Sequence, residues 1–292
     1  MATGTNKMKT LLSSVCLAAT VGMTSPMGMA ETNTEAAAEG LQRVMFVGNN
    51  WDGTITVIDP NNNYFQVGRM NAIPDEAERL AEINADPMRK RAFAAIAAGP
   101  GEGNNQYVDD MYSNLDGTAL IISRPSFADV ISLDLESGEI NWRFPVSGFR
   151  SDHMAISPDG TEVAVSATST RTVHLIDVET GEEMASFNTG DTPHENHYFK
   201  DGRYILNAAI GSVSSSNDAP EEDHLKGDRK LTIYDRAMDE VARTIDVRQH
   251  LDDFGRSDLS DSIRPYAMHP DETTLFFQVS FFNGVIEYDF LS

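Results

Sequence analysis

From Val44 onward the chain runs in short stretches that alternate apolar and polar positions. Glu162 to Ala167 places Val163, Val165 and Ala167 on one side, and Thr172 to Val178 does the same with Val173 and Leu175. Alternation with period two predicts β-strands of five to seven residues. The stretches are separated by turns that return in phase. One turn is Leu115-Asp116-Gly117, Pro158-Asp159-Gly160, Lys200-Asp201-Gly202 and Pro270-Asp271-Glu272. A second anchor is an apolar strand ending in Asp, at Asp59, Asp134, Asp177, Asp235 and Asp289. Asp116 and Asp159 are 43 residues apart, as are Asp134 and Asp177, and Asp159 and Asp201 are 42 apart. Four short antiparallel strands in about 40–45 residues is the spacing of a β-propeller blade. A β-sandwich also strings short strands together, but it does not require one turn at one phase in successive units.

The expected fold is therefore all-β, with blades at about 44–73, 108–147, 152–189, 195–247 and 265–292. The first and last blades supply three strands each and the middle three supply four. That is about four and a half blades in an open or incomplete arc. A closed five-blade ring needs two more strands, so the sequence reads as a fragment of a longer propeller, with closure by another chain as the other solution. Asn283-Gly284 predicts a tight hairpin joining Phe281-Phe282 to Val285-Ile286-Glu287-Tyr288.

Three insertions interrupt the repeat. Residues 74–98 predict helix: Pro74 opens it, acids follow, and Ala77, Leu80 and Ile83 share a face, with Asp86-Pro87 restarting a second helix that Gly99-Pro100-Gly101 ends. Residues 214–230 fall inside a hairpin and carry Asp218, Glu221, Glu222, Asp223 and Asp228; lacking calcium-loop spacing, they read as a solvated acidic loop. Residues 248–262 form a third polar segment. Long loops on a propeller face are where binding specificity resides.

The repeat residues carry a resemblance. Ser157-Pro158-Asp159-Gly160-Thr161 with Leu175-Ile176-Asp177-Val178-Glu179-Thr180-Gly181 resembles the S-P-D-G-x and V/I-V/I-D-x-x-T-G repeats of the YVTN-repeat β-propellers. These are exported bacterial proteins within the quinoprotein amine dehydrogenase-like propeller superfamily. The literal Y-V-T-N tetrad is absent, and its slot holds Phe46-Val47-Gly48-Asn49 in the first blade. The resemblance implies a fold and leaves function open, because the repeat residues are structural.

The N-terminus changes the picture of compartment. Lys7 and Lys9 precede an uncharged run from Thr10 to Met23, and Gly28 and Ala30 occupy the small positions of a cleavage site. Residues 1–30 read as a signal peptide and 31–43 as a linker, which predicts a periplasmic or secreted protein starting at Glu31. The apolar run is too short to span a bilayer, so no stable membrane insertion is expected after cleavage. Ser13 stands where lipidation of Cys16 would need a leucine. Cleavage removes that one cysteine, excluding thiol chemistry and any multi-cysteine metal site. It also removes two lysines and no acid, taking the formal charge from -23 to -25. So acidic a chain excludes nucleic acid as a partner.

Candidate chemistry lies on the innermost strands. Aligned on the turn aspartate, Asp110, His153, Glu195 and Pro265 share one register six residues upstream. Asp109, Asp152, His194, His197 and Arg264 neighbour them. The binding candidates at this channel rim are Asp110, His153, His194, Glu195 and Arg264, with His153 and His194 as candidate metal ligands. No cofactor is evident, and a divalent metal is compatible with imidazole beside carboxylate. Such groups also line channels simply by bonding water. Of His194 and His197, an odd number of residues apart, only one can reach the channel, and His194 is the choice. His269, one residue before its turn, reads as structural. Elbow, P-loop and zincin motifs are absent, and Trp51 and Trp142 do not recur in phase, unlike the tryptophans of quinone-dependent alcohol dehydrogenase propellers. The leading expectation is a binding module for a protein or small-molecule ligand on a loop face. The alternative is a propeller enzyme, a lactonase-like hydrolase or a dehydrogenase heavy chain, using the His/Asp/Glu rim at the central channel.

Overall fold

A computed structural model describes residues 43–213 and 218–291. The expected signal peptide and all but the last residue of the expected linker lie outside the described residues. Five antiparallel sheets follow one another along the chain. The first is β1 (Met45–Asn49), β2 (Thr54–Asp59) and β3 (Phe65–Asn71). Two helices follow, α1 (Glu76–Ala85) and α2 (Pro87–Ala98). The second sheet is β4 (Met111–Ser113), β5 (Ala119–Arg124), β6 (Asp129–Asp134) and β7 (Ile140–Pro145). The third is β8 (Ser151–Ile156), β9 (Glu162–Ala167), β10 (Thr172–Asp177) and β11 (Glu183–Asn188). The fourth is β12 (Pro193–Tyr198), β13 (Tyr204–Ala209), β14 (Leu231–Asp235) and β15 (Glu240–Ile245). After α3 (Val247–Asp253) the last sheet is β16 (Ile263–Met268), β17 (Thr274–Val279) and β18 (Ile286–Asp289). Among the described residues no helix is long and apolar enough to cross a membrane.

The repeated aspartates shape the turns. Asp159 Oδ1 accepts from the Thr161 N–H at 3.2 Å and its hydroxyl at 2.8 Å, while Gly160 takes φ +68°. Asp177 Oδ1 accepts from the N–H groups of Glu179 and Thr180 at 3.0 and 2.7 Å, and Asp134 does the same for Glu136 and Ser137. Each side chain stands in for a backbone acceptor and fixes a hairpin, so the recurring letters recur for a local electrostatic reason.

Alternation along the central strands serves two cores at once. Leu120 and Ile122 of β5 pack toward the first sheet, and Ile121 between them packs toward the third. In β13, Ile205 faces the third sheet, and Leu206 and Ala208 face the fifth. All six residues of β5 and of β9 are buried, while outer strands such as β3 and β11 are largely exposed. Four apolar clusters thus join five sheets in a row. Among the described residues, no strand pairing or apolar cluster joins the first sheet to the last. The arrangement is an incomplete propeller with a small helical insertion.

Two expectations need correction. Phe281 and Phe282 form no strand: β17 ends at Val279 and pairs with β18 from Phe277↔Ile286, so the connection is longer than a two-residue Asn-Gly turn. Phe281 sits at φ +65° inside it. The third polar segment opens in α3, whose start is capped by Asp246 accepting from Gln249 N at 3.1 Å. The acids of 218–228 are not uniformly solvated: Asp218 and Asp223 pair with the fully buried Lys226 at 2.8 and 3.2 Å, and Asp223 also pairs with Arg229 at 3.0 Å.

Adjacent blades are also clamped by Trp142, whose Nε1 donates to the Val178 carbonyl at 3.1 Å. Its ring lies under Gly181, where an added Cβ would stand 2.5 Å from the indole at a backbone φ of +72°. Gly181→Ala is expected to lower stability by about 2 kcal/mol. The readout is a fall in the urea midpoint at unchanged slope.

Candidate functional site

The inner strands begin with a recurring irregularity. One extra residue enters β8 between Ser151 and Met154, β12 between Pro193 and Glu195, and β16 between Ile263 and Tyr266. Beyond each bulge the register is the same. Met154, Asn196 and Tyr266 pair with Val165, Asn207 and Phe277, the fourth residues of their partner strands, as Met111 pairs with Ile122 in the second sheet. Bulges of this kind turn consecutive side chains out of strict alternation. Two neighbours per blade therefore reach the mouth: Asp109 and Asp110, Asp152 and His153, His194 and Glu195.

These six residues come together. Asp110 Oδ2 lies 3.1 Å from His153 Nδ1 and accepts from Met154 N at 2.9 Å. The His153 and His194 rings meet edge to face, centroids 4.4 Å apart at 73°. Asp152 is almost fully buried and pairs with Arg150 at 3.1 Å. One donor atom from each of His153, His194 and Glu195 falls within 4.8 Å of the others, and the same holds for Asp109, Asp152 and His153. The open side is a cavity of about 580 Å³ bounded by Asp109, Asp152, His153 and His194, by Gly99-Pro100 after α2, and by Asp218 of the second insertion. Of the remaining candidates, Arg264 borders the cavity but is held by Asp218 at 2.8 Å and Ser280 at 3.1 Å. Pro265 shares the register without a polar side chain. His197 is exposed, 6.4 Å from the Tyr266 ring, and His269 lies 2.9 Å from Asp271 in its turn.

Crowding sets the protonation states. Burial opposes the charge on His153, but the Asp110 hydrogen bond and the charges of Asp109, Asp152 and Asp110 outweigh it and hold the imidazolium to about 11. His194 is pushed down to about 4, first by burial and then by His153 and two arginines, against the pull of Asp152. Glu195 is pushed up to about 7 by burial, with Asp110 and Asp152 adding to it. Asp109 is likewise raised to about 7, chiefly by burial. Two imidazoles a ring apart thus hold opposite protonation at neutral pH.

A polar layer behind the mouth fixes its backbone. Asn196 Nδ2 donates to the His153 carbonyl at 3.1 Å and to Ser166 Oγ at 2.9 Å. Ser166 Oγ donates to the His194 carbonyl at 2.9 Å, and Ser123 Oγ to the Asp152 carbonyl at 2.9 Å. Asn207 Nδ2 reaches Asn196 Oδ1 at 2.9 Å. Sequence reasoning missed this layer. Its signal was polar residues at positions of the central strands where both faces call for apolar ones: Ser123, Ser166 and Asn207.

Sequence reasoning also missed a second arrangement. Ser147 Oγ lies 2.8 Å from His174 Nε2, and His174 Nδ1 lies 2.7 Å from Glu183 Oε1. The Nε2 atom has one lone pair, and the Ser147 N–H approaches it too, at 3.1 Å. Ser147 Oγ is shared in turn with Thr170 Oγ1 at 2.7 Å. The buried imidazole therefore works as a clamp between the second and third sheets.

No family model matches the chain, and no curated protein matches it. Among solved structures it is similar to Kuenenia stuttgartiensis hydrazine synthase, at 16% identity and a TM-score of 0.53, over 80% of this chain and 51% of that one. The chain thus spans about half the length of that neighbour. At this identity the likeness shows the fold alone, a β-propeller-type arrangement of repeated antiparallel sheets.

Proposed function

We propose that the chain is an exported, periplasmic or secreted binding module of the YVTN-repeat propeller type. Its ligand sits at the inner-strand mouth. The observation that carries this reading is convergence: three successive sheets, through adjacent positions of their inner strands, bring Asp110, His153, His194 and Glu195 together beside a cavity that Asp109, Asp152, His153 and His194 line, and two insertions wall it. Convergent polar groups in a formed cavity are the mark of a ligand site. A small-molecule or protein ligand would meet a mouth that is anionic and hydrogen-bond rich. A thermal-shift screen of small metabolites, metals and periplasmic proteins tests the reading. Ligands that raise the midpoint should lose that effect in the double variant His153→Ala, His194→Ala. A ligand whose effect survives the double variant places the site elsewhere. Export has its own check: protein recovered from the periplasm or medium should begin at Glu31, and an intact Met1 or Ala2 there would overturn it.

The enzyme alternative, a lactonase-like hydrolase or a dehydrogenase heavy chain, would use the His/Asp/Glu rim at the mouth; apart from that rim, Ser147, His174 and Glu183 stand within reach of one another as a hydroxyl, an imidazole and a carboxylate. A serine-directed fluorophosphonate discriminates. Labelling of Ser147 that His174→Ala abolishes would favour hydrolysis, and an unlabelled protein leaves the clamp as the role of this trio.

A further inference from the structure

We propose that the mouth holds a divalent transition-metal ion through His153, His194 and Glu195, with at least one position left open toward the cavity. This inference rests on the reading of the mouth as the binding site and names what binds there first.

The donor set is the first support. Two imidazoles and one carboxylate, each offering an atom within 4.8 Å of the other two, enclose a single point in space. A tetrahedral ion with bonds of about 2.0–2.2 Å separates its donors by about 3.3–3.6 Å. Drawing the three together thus takes about an ångström of side-chain movement. Imidazole with carboxylate suits zinc, nickel or cobalt better than calcium or magnesium, which prefer six or more oxygens.

The second support is independent of charge. His194 Nδ1 is a buried atom with no hydrogen-bond partner among the described residues. A buried polar nitrogen left alone is costly, and such atoms are normally satisfied. The His194 ring meets the His153 ring edge to face and borders the cavity, so a ligand arriving there can satisfy it.

The third support is what stands behind the donors. His153 Nδ1 faces Asp110 Oδ2 at 3.1 Å, so an arriving cation would displace the proton of Nε2 and bind there while Nδ1–H stays on the carboxylate. A carboxylate on the far nitrogen of a ligating histidine fixes its tautomer and raises its basicity. The carbonyls of His153 and His194 are pinned by Asn196 and Ser166, so both ligands sit on restrained backbone. Asp152 does not join the set because Arg150 engages it. The three protein donors leave a fourth position on the cavity side, where a water or an anionic ligand group completes the shell.

The test is titration of the chelator-treated full chain with zinc, followed by calorimetry, and with cobalt, followed by its visible absorption. One equivalent of zinc should bind, and cobalt should give the intense visible bands of a four-coordinate site. His194→Gln and Glu195→Gln should each weaken binding at least 100-fold, and Asp110→Asn, which only positions His153, about tenfold. His269→Ala, in an exposed turn, should change nothing. The proposal is overturned by the absence of stoichiometric binding, by a purely octahedral cobalt spectrum, or by affinity that the two ligand variants leave intact. The cobalt spectrum of the unaltered chain decides even where a variant fails to fold. The two readings separate cleanly. If neither zinc nor cobalt binds, yet an organic ligand binds at the mouth and needs His153 and His194, the metal is refuted and the binding module stands. Zinc binding with the expected variant effects supports the metal whatever further ligand is found.

Discussion

Replacing Arg124 with methionine should lower the unfolding free energy by about 4 kcal/mol. Arg124 closes β5 and is fully buried. Its Nε and Nη2 both donate to Asp129 at 2.8 Å, and its Nη1 and Nη2 reach Asp75 at 2.6 and 3.1 Å. The guanidinium also lies 5.0 Å from the centre of the Phe127 ring. Asp75 precedes α1, so this one side chain ties the helical insertion to the second sheet. Truncation would leave Asp129 buried with only Arg143, and Asp75 with only Arg79. Breaking a buried pair from one side typically costs about 3–5 kcal/mol, because a charge is stranded away from water. For a chain of this size that is a fall in Tm of about 10 °C. Replacing both partners, Arg124→Met with Asp129→Leu, should recover part of the loss, since no stranded charge then remains at that end. A loss under about 1 kcal/mol for the single change would mean that water reaches the cluster and that it does not fasten the insertion.

The insertion itself shows what a sequence displays openly. Asp86-Pro87 announced a helix boundary because both residues act within one turn: Asp86 Oδ1 accepts from Met88 N at 2.8 Å, and proline tolerates the first helical position. The blade turns were legible for the same reason, since Asp159 and Asp177 bond residues two and three positions away. Even the ring of Asp110, His153, Glu195 and Pro265 could be aligned, because the turn sits at a constant distance from the inner strand.

What stayed hidden depends on partners far along the chain. The extra residue in β8, β12 and β16 shows only against the neighbouring strand, and without it the pairing of Asp152 with His153, or His194 with Glu195, on one side breaks the rule of alternation. Phe281-Phe282-Asn283-Gly284 carried a strong local hairpin signal that the tertiary structure overrode. Lys226 lies 4.3 Å from the centre of the Phe281 ring and is enclosed by it with Asp218 and Asp223, so the phenylalanine serves as a lid over a buried cation instead of a strand. A fully buried lysine at the centre of an acidic insertion has no local signature. Its burial is offset by two carboxylates that the charge pattern alone assigns to solvent.

The mouth should also reveal itself through pH. In the metal-free protein Glu195 holds its proton up to about 7, well above its ordinary 4.5, because burial and the nearby Asp110 and Asp152 disfavour its charge. Between those two values the folded chain binds a proton that the unfolded chain has released. Stability contributed by this group therefore falls as pH rises from about 4.5 to 7, and the full penalty remains at higher pH. Glu195→Gln keeps the shape and removes the charge. The variant should match the parent near pH 4 and exceed it at pH 8 by about 2 kcal/mol, since each tenfold change in proton affinity is worth about 1.4 kcal/mol and solvent at the cavity screens part of the effect. His194, driven the other way to about 4, contributes stability that grows as pH rises from 4 toward 6.5, in both proteins alike, so it cancels in the difference. Urea unfolding of chelator-treated parent and variant at pH 4, 6 and 8 measures that difference. Equal stability at all three pH values would show that the Glu195 carboxylate is as well solvated in the folded chain as in the unfolded one. A gain confined to the alkaline side, together with the loss of zinc affinity expected of the same variant, would mark Glu195 as a residue held at the expense of stability for what it binds.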